Sequence, residues 1–299
     1  MSGTKPLHPD LRRRSIINKA EQILSEEGLA SLPVDLEALA STRDIEIQAK
    51  ADVAVGVSGM LLRFGDTFGI VYATHIPSVG YQRFSIAHEL GHYFLDGHAE
   101  QLVPDRNGAH QSRAGFASDD VLEREADYFA SGLLMPTDLF LREMRRRDDG
   151  LDAIIELSDL CLSSLTATAI RYADLARGAV AVIVSSGATV EFAFLSEGIK
   201  TLKGVRWPRK GSAVPTGTLT NRFNANPSRV RAAERDHDDM DISDWLSGQS
   251  ARGKEEVIGL GNYGRTLTVL TCSVRDETYG DEQDEDEALI ESWTPRFRR

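Results

Sequence analysis

Two histidines four residues apart, with a glutamate directly after the first, constrain this chain more than any other feature. They stand in Ala87-His88-Glu89-Leu90-Gly91-His92, inside an apolar-periodic run. A helix advances about 100° per residue, so His88 and His92 share a face one turn apart and both imidazoles can reach one Zn²⁺. The flanks Phe84-Ser85-Ile86-Ala87 and Tyr93-Phe94-Leu95 make the segment an amphipathic helix whose remaining surface can join a core. Zinc held by three protein ligands keeps a fourth position for water and lowers that water's pKa to about 7. Glu89 is the candidate base that takes the proton and later delivers it to a leaving amine.

Two positions offer a third ligand. One is in Glu123-Arg124-Glu125-Ala126-Asp127-Tyr128-Phe129-Ala130-Ser131-Gly132-Leu133-Leu134-Met135-Pro136, a second helix that Pro136 ends or interrupts. On a helical wheel Glu123 falls with Ala126, Ala130, Leu133 and Leu134, so it points where the apolar face points. Asp127, one turn on, is placed to hydrogen-bond the back of a ligand histidine. Glu125 lies about 160° from Glu123 on that wheel and is expected to be a solvated surface carboxylate. The other position is His98, ten residues after His88, which is the offset of the metzincin pattern HExxHxxGxxH. That pattern needs Gly where this chain has Leu95, which favours Glu123 and makes His98 a loop histidine near a helix C-terminus.

These motifs, in this order, resemble the ImmA/IrrE family of bacterial metallopeptidases. The likeness runs through Arg83-Phe84-Ser85-Ile86-Ala87-His88-Glu89-Leu90-Gly91-His92, the Glu123 to Ala130 run and Leu133-Leu134-Met135-Pro136. Leu32-Pro33-Val34-Asp35-Leu36-Glu37-Ala38-Leu39-Ala40 resembles the start of the same domain, so the resemblance spans residues 15 to 145. It implies His88, His92 and Glu123 as zinc ligands and Glu89 as catalytic acid/base. It also implies a zinc metalloendopeptidase whose substrate is a helix-turn-helix transcriptional repressor of mobile-element or stress genes. The alternative is a regulatory binding protein with a structural or weakly active zinc site.

The expected architecture is α+β. A mainly helical, zincin-like metallopeptidase domain with a small β-hairpin or sheet occupies residues 1–147. A helix-turn-helix-like segment follows at 148–177, and a C-terminal α/β domain with an acidic tail at 178–299. Helices are predicted over residues 11–29 and 34–40, and strands over 59–64 and 67–74 about a Gly65-Asp66 turn. That hairpin either offers an edge to an extended substrate or only supports the zinc helix. Residues 97–120 carry little periodicity and read as a long loop in which His110 is unremarkable. Helices at 151–157 and 164–176 have helix-turn-helix spacing, but the second offers a single cation, Arg171, so direct DNA binding is not expected. Beyond residue 178 come a hairpin, 179–184 with 189–194, and late strands at 255–260 and 266–272. The run at 281–287 is expected to be a solvated acidic stretch.

Composition agrees with this reading. The 299 residues are 41% hydrophobic, enough for real cores, and the net charge of −12 opposes nonspecific DNA binding. Arg12-Arg13-Arg14 is expected to be a solvated basic face. Cys161 and Cys272 have no CxxC partner and read as buried small side chains. No apolar run is long enough for a membrane span, and Met1-Ser2-Gly3-Thr4-Lys5 lacks a signal peptide's apolar stretch, so a cytoplasmic protein is expected. Besides zinc, peptide hydrolysis needs an oxyanion stabiliser, for which Tyr72, Tyr93 and His98 are candidates.

Overall fold

The apolar spacing at Ile16, Ala20, Ile23 and Leu24 builds the first helix, α1 (Pro9–Glu26), and buries those four residues. The computed structural model describes residues 9–272 except 52, 53, 55, 76, 113–119, 207 and 249. The acidic run at 281–287 and the first residues of the chain therefore lie outside the described part. After α1 come α2 (Leu36–Ser41), β1 (Glu46–Lys50), β2 (Gly59–Phe64), β3 (Thr67–Ala73) and α3 (Val79–Phe94). Next are α4 (His98–Leu102), β4 (Asn107–Ser112), α5 (Val121–Leu134) and α6 (Thr137–Met144). The predicted stop is visible, since α5 ends just before Pro136, and the structure adds the starts: Asp35 caps α2, Ser78 caps α3 and Asp120 caps α5.

The predicted hairpin forms, with Phe64 opposite Thr67, but it lies in the middle of a four-stranded sheet of order β1-β3-β2-β4. Parallel β1 covers one side of the hairpin and antiparallel β4 the other. Neither hairpin strand therefore has a free edge; β4 and β1 are the edges. Residues 107–112, expected to be loop, form β4, and residues 98–102 form a helical turn. Asn-Gly-Ala-His-Gln-Ser gives no apolar alternation, and it is the ladder to β2 that makes it a strand.

The chain continues with α7 (Leu151–Cys161) and α8 (Leu165–Leu175), which meet at 115° and form the helix-turn-helix-like pair. Every residue from Ala167 to Ala173 on α8 is buried, so this helix presents no reading face to DNA. Its one cation, Arg171, is 2% exposed and spends its guanidinium inside. It donates to Met135 O at 3.2 Å and to Thr137 Oγ1 at 2.7 Å, and Glu21 and Asp174 lie 3.4 Å away. No single helix among the described residues is long and apolar enough to cross a membrane.

The last part comprises β5 (Ala179–Ser186), β6 (Thr189–Leu195), α9 (Glu197–Lys200), α10 (Leu219–Asn224) and α11 (Pro227–Arg231). It closes with β7 (Arg235–Asp241), α12 (Ser243–Leu246), β8 (Arg252–Gly259) and β9 (Thr266–Cys272). These strands make one antiparallel sheet of order β6-β5-β9-β8-β7, in which the expected hairpin and late strands all appear. Strand β7 was not expected, because Arg-Asp-His-Asp-Asp-Met-Asp is strongly acidic and carries no apolar alternation. It sits at the sheet edge, where charge discourages a further strand from adding. The apolar run in β5 is buried on both faces. Val180, Val182 and Val184 join the main core with α1, α3, α5, α7 and α8, while Ala179, Ala181 and Ile183 join a second core with Ile199, Trp245 and Leu246. Cys161 is fully buried and Cys272 half-buried, and both are free thiols.

Candidate metal centre

Helices α3 and α5 cross where both are small. A Cβ on Gly91 would stand 3.1 Å from Ala126 Cα, so the glycine between the two motif histidines lets the backbones approach. This brings Glu123 against His88 and His92. His88 Nε2 lies 3.0 Å from His92 Nε2 and 3.2 Å from Glu123 Oε2, while His92 Nε2 is 3.4 Å from Glu123 Oε1. These three side chains form the group among the described residues whose ligand atoms converge closely enough for one metal ion.

The donor set and its spacing fit zinc. A tetrahedral ion with N and O ligands at about 2.0–2.1 Å sets neighbouring ligand atoms roughly 3.3 Å apart, close to the three gaps here. The hydrogen bonding agrees. His88 Nδ1 faces Asp127 Oδ1 at 2.8 Å, so it donates there and leaves Nε2 bare toward His92 and Glu123. Two buried imidazole nitrogens at 3.0 Å without a shared cation or proton would repel. Without metal, a proton takes that role: burial opposes charge on His88, but the bonds to Asp127 and Glu123 outweigh it and raise its pKa to about 10. Burial pushes His92 down to about 4. Burial also disfavours the Glu123 carboxylate, yet contacts from His110, His88 and His92 win and hold it far below the ordinary range.

Glu89 is fully buried beside this group, and neither carboxylate oxygen has a hydrogen-bond partner among the described residues. Burial pushes its pKa up to about 7. Its carboxyl lies on the backbone of β2, where a Cβ on Gly59 would stand 2.6 Å from Glu89 Oε1. An unpaired buried carboxylate is costly to keep, and such perturbed acids cluster where protons are moved.

The sequence-predicted residues divide clearly. His88, Glu89, His92, Glu123 and Asp127 come together. His98 stands behind His92, its Nδ1 3.2 Å from His92 Nδ1, outside the converging group; it opens α4 and is 1% exposed, so it is not a loop histidine on the surface. Glu125, expected on the surface, is 6% exposed, because α5 is covered on both sides. The face opposite Glu123 packs on α1, where Arg12 makes two bonds to Glu125. The sign was present in the sequence: Glu125, Phe129 and Gly132 form a second stripe at helical spacing. Arg12 and Arg14 are exposed, as a solvated basic face requires, although Arg12 also pairs with Glu125; Arg13 is half-buried, pairs with Asp174 and lies over the Tyr128 ring. His110 also gains a role: from β4 its Nε2 reaches Glu123 Oε1 at 3.0 Å, and its ring lies 5.0 Å from that of His92. Of the oxyanion candidates, Tyr93 is packed edge-on against Phe68 and Phe94, and His98 faces the back of the site.

Comparison with known proteins bears on the same stretch. Residues 57–171 match the model of the IrrE N-terminal-like domain, a peptidase family, and that span holds both helices of the site. A comparison with curated proteins finds no match. Among solved structures, a Mycobacterium tuberculosis transcriptional regulator shares the fold with a TM-score of 0.56 at 17% identity, over 88% of this chain and 78% of that one. The chain is therefore an α+β protein whose residues 57–171 carry an IrrE N-terminal-like domain, which assigns that part to the ImmA/IrrE family.

Proposed function

We propose that this protein is a zinc-dependent metalloendopeptidase that cuts a partner protein, a helix-turn-helix transcriptional repressor. One observation carries the reading: three converging ligand atoms, on His88, His92 and Glu123, stand beside a buried glutamate with no hydrogen-bond partner of its own among the described residues. Zinc bound there would act as a Lewis acid and make water nucleophilic at neutral pH. Glu89, with a pKa near 7, can accept the nucleophile's proton on one carboxylate oxygen and return it to the departing amine. Asp127 holds the His88 ring in the tautomer that leaves Nε2 bare. His110, half-buried on the edge strand and in contact with Glu123, joins Tyr72 as a group that can donate to a developing oxyanion. An extended substrate segment pairing with the free edge of β4 would pass alongside His110, with backbone bonds holding it in register. A purely structural zinc site gives no reason to keep Glu89 buried without a hydrogen-bond partner among the described residues, which favours the peptidase over the regulatory binding reading.

The test uses full-length protein, assayed for bound zinc and then incubated with helix-turn-helix repressors encoded in neighbouring genes. Intact-mass analysis should show one discrete cut, lost on chelation and restored by zinc. Wild-type protein that takes up no zinc would sink the proposal. Gly59→Ala gives a finer check, because the new methyl must push the Glu89 carboxylate out of place. Turnover should fall roughly 10²-fold, as an ångström of misplacement can do, with zinc content unchanged. Undiminished turnover would show that Gly59 does not set the position of Glu89.

A further inference from the structure

Behind His92, on the side away from Glu123, side chains from three more helices stand in line. His98 of α4 has Nδ1 3.2 Å from His92 Nδ1 and Nε2 3.2 Å from Glu125 Oε2 on α5. Glu125 in turn receives Arg12 of α1 on both oxygens, Nε to Oε1 at 2.8 Å and Nη2 to Oε2 at 2.7 Å. His92, His98 and Glu125 are all buried, and only the Arg12 end reaches solvent.

The hydrogens in this line can run one way. A guanidinium only donates, so both Glu125 oxygens accept from Arg12. A carboxylate cannot donate to His98, so His98 Nε2 carries the proton. In the neutral ring Nδ1 is then bare and must accept, which requires His92 Nδ1 to donate. That leaves His92 Nε2 bare, and this is the atom 3.0 Å from His88 Nε2 and 3.4 Å from Glu123 Oε1. A His98 that donated at Nδ1 would move the His92 proton to Nε2, where it would block a metal.

We infer that Arg12, Glu125 and His98 are positioning residues that fix the tautomer and aim of His92, doing through an intervening imidazole what Asp127 does directly for His88. The inference rests on the reading of His92 as a zinc ligand. It also accounts for His98 standing outside the ligand set, since both of its ring nitrogens are engaged away from the site.

The test compares wild type, His98→Leu and His98→Asn, with zinc affinity measured by chelator competition and the thermal midpoint of each metal-free protein recorded beside it. Asparagine can place an acceptor oxygen where Nδ1 stood; leucine fills the space without one. Zinc binding by His98→Leu should weaken about 10–100-fold, the range for loss of an outer-shell partner. His98→Asn should recover most of that loss, whatever the order of the two midpoints. In ¹⁵N spectra of metal-free wild type at neutral pH, His92 should carry its proton on Nδ1. Wild type that binds no zinc overturns the metal site itself. Wild type that binds zinc while His98→Leu binds it equally tightly, or a His92 protonated on Nε2, overturns the relay alone.

Discussion

Glu89→Gln should slow cleavage about 10²–10⁴-fold and leave the zinc in place. Glutamine has the shape of glutamate and fills the same fully buried position against Gly59, so the helix and the ligand set should be undisturbed. What it lacks is a base: an amide oxygen at neutral pH takes no proton from an attacking nucleophile and has none to hand on. General acid–base catalysis contributes about 10²–10⁴-fold, and the cut should slow by that factor when initial rates are read on one repressor. Glu89 is not among the converging ligand atoms, so metal analysis of the variant should match wild type. Cleavage at the wild-type rate by zinc-loaded Glu89→Gln would move the proton transfer to another residue, with His110, which contacts Glu123, as the alternative.

The second large effect is on metal binding. Glu123→Ala removes the only carboxylate of the converging group and the anion that offsets positive charge between the imidazoles. Losing an outer-shell partner costs about 10–100-fold in affinity, and losing a ligand should exceed that range. Chelator competition on Glu123→Ala, with His98→Ala alongside, reads the result. Zinc held as tightly by Glu123→Ala as by wild type, with zinc lost from His98→Ala, would restore the three-histidine alternative. The geometry favours the first outcome, because His98 touches His92 at the nitrogen turned away from Glu123.

Both helices of the candidate site were legible in the sequence because each combines a polar motif with an apolar stripe at helical spacing. Caps at Ser78 and Asp120 and the stop at Pro136 give those helices ends. Glu125 was misplaced because a single stripe was read on a helix that carries two, and which helix covers the second depends on a contact 113 residues away along the chain. Strands β4 and β7 escaped for a different reason. One is polar and the other strongly charged, and edge strands are formed by ladder bonds that leave no alternation in the side chains. His110 gains its place only from the register of β4 on β2, which puts it opposite Leu61. The run from Ala179 to Val184 was legible as a strand, but its continuous apolarity also meant burial on two sides.

That two-sided burial makes β5 a party wall. Alternate residues of one strand close the main core on one side and the C-terminal core on the other, so neither compartment has an outer wall of its own there. A fragment ended near residue 147 would lose α7, α8, the valines of β5 and the Arg171 guanidinium that caps the Met135 carbonyl, uncovering the part of its core that packs on them. Whatever reaches the C-terminal sheet thus presses on the same packed side chains that support the helices of His88 and Glu123, with no slack tether in between to absorb it.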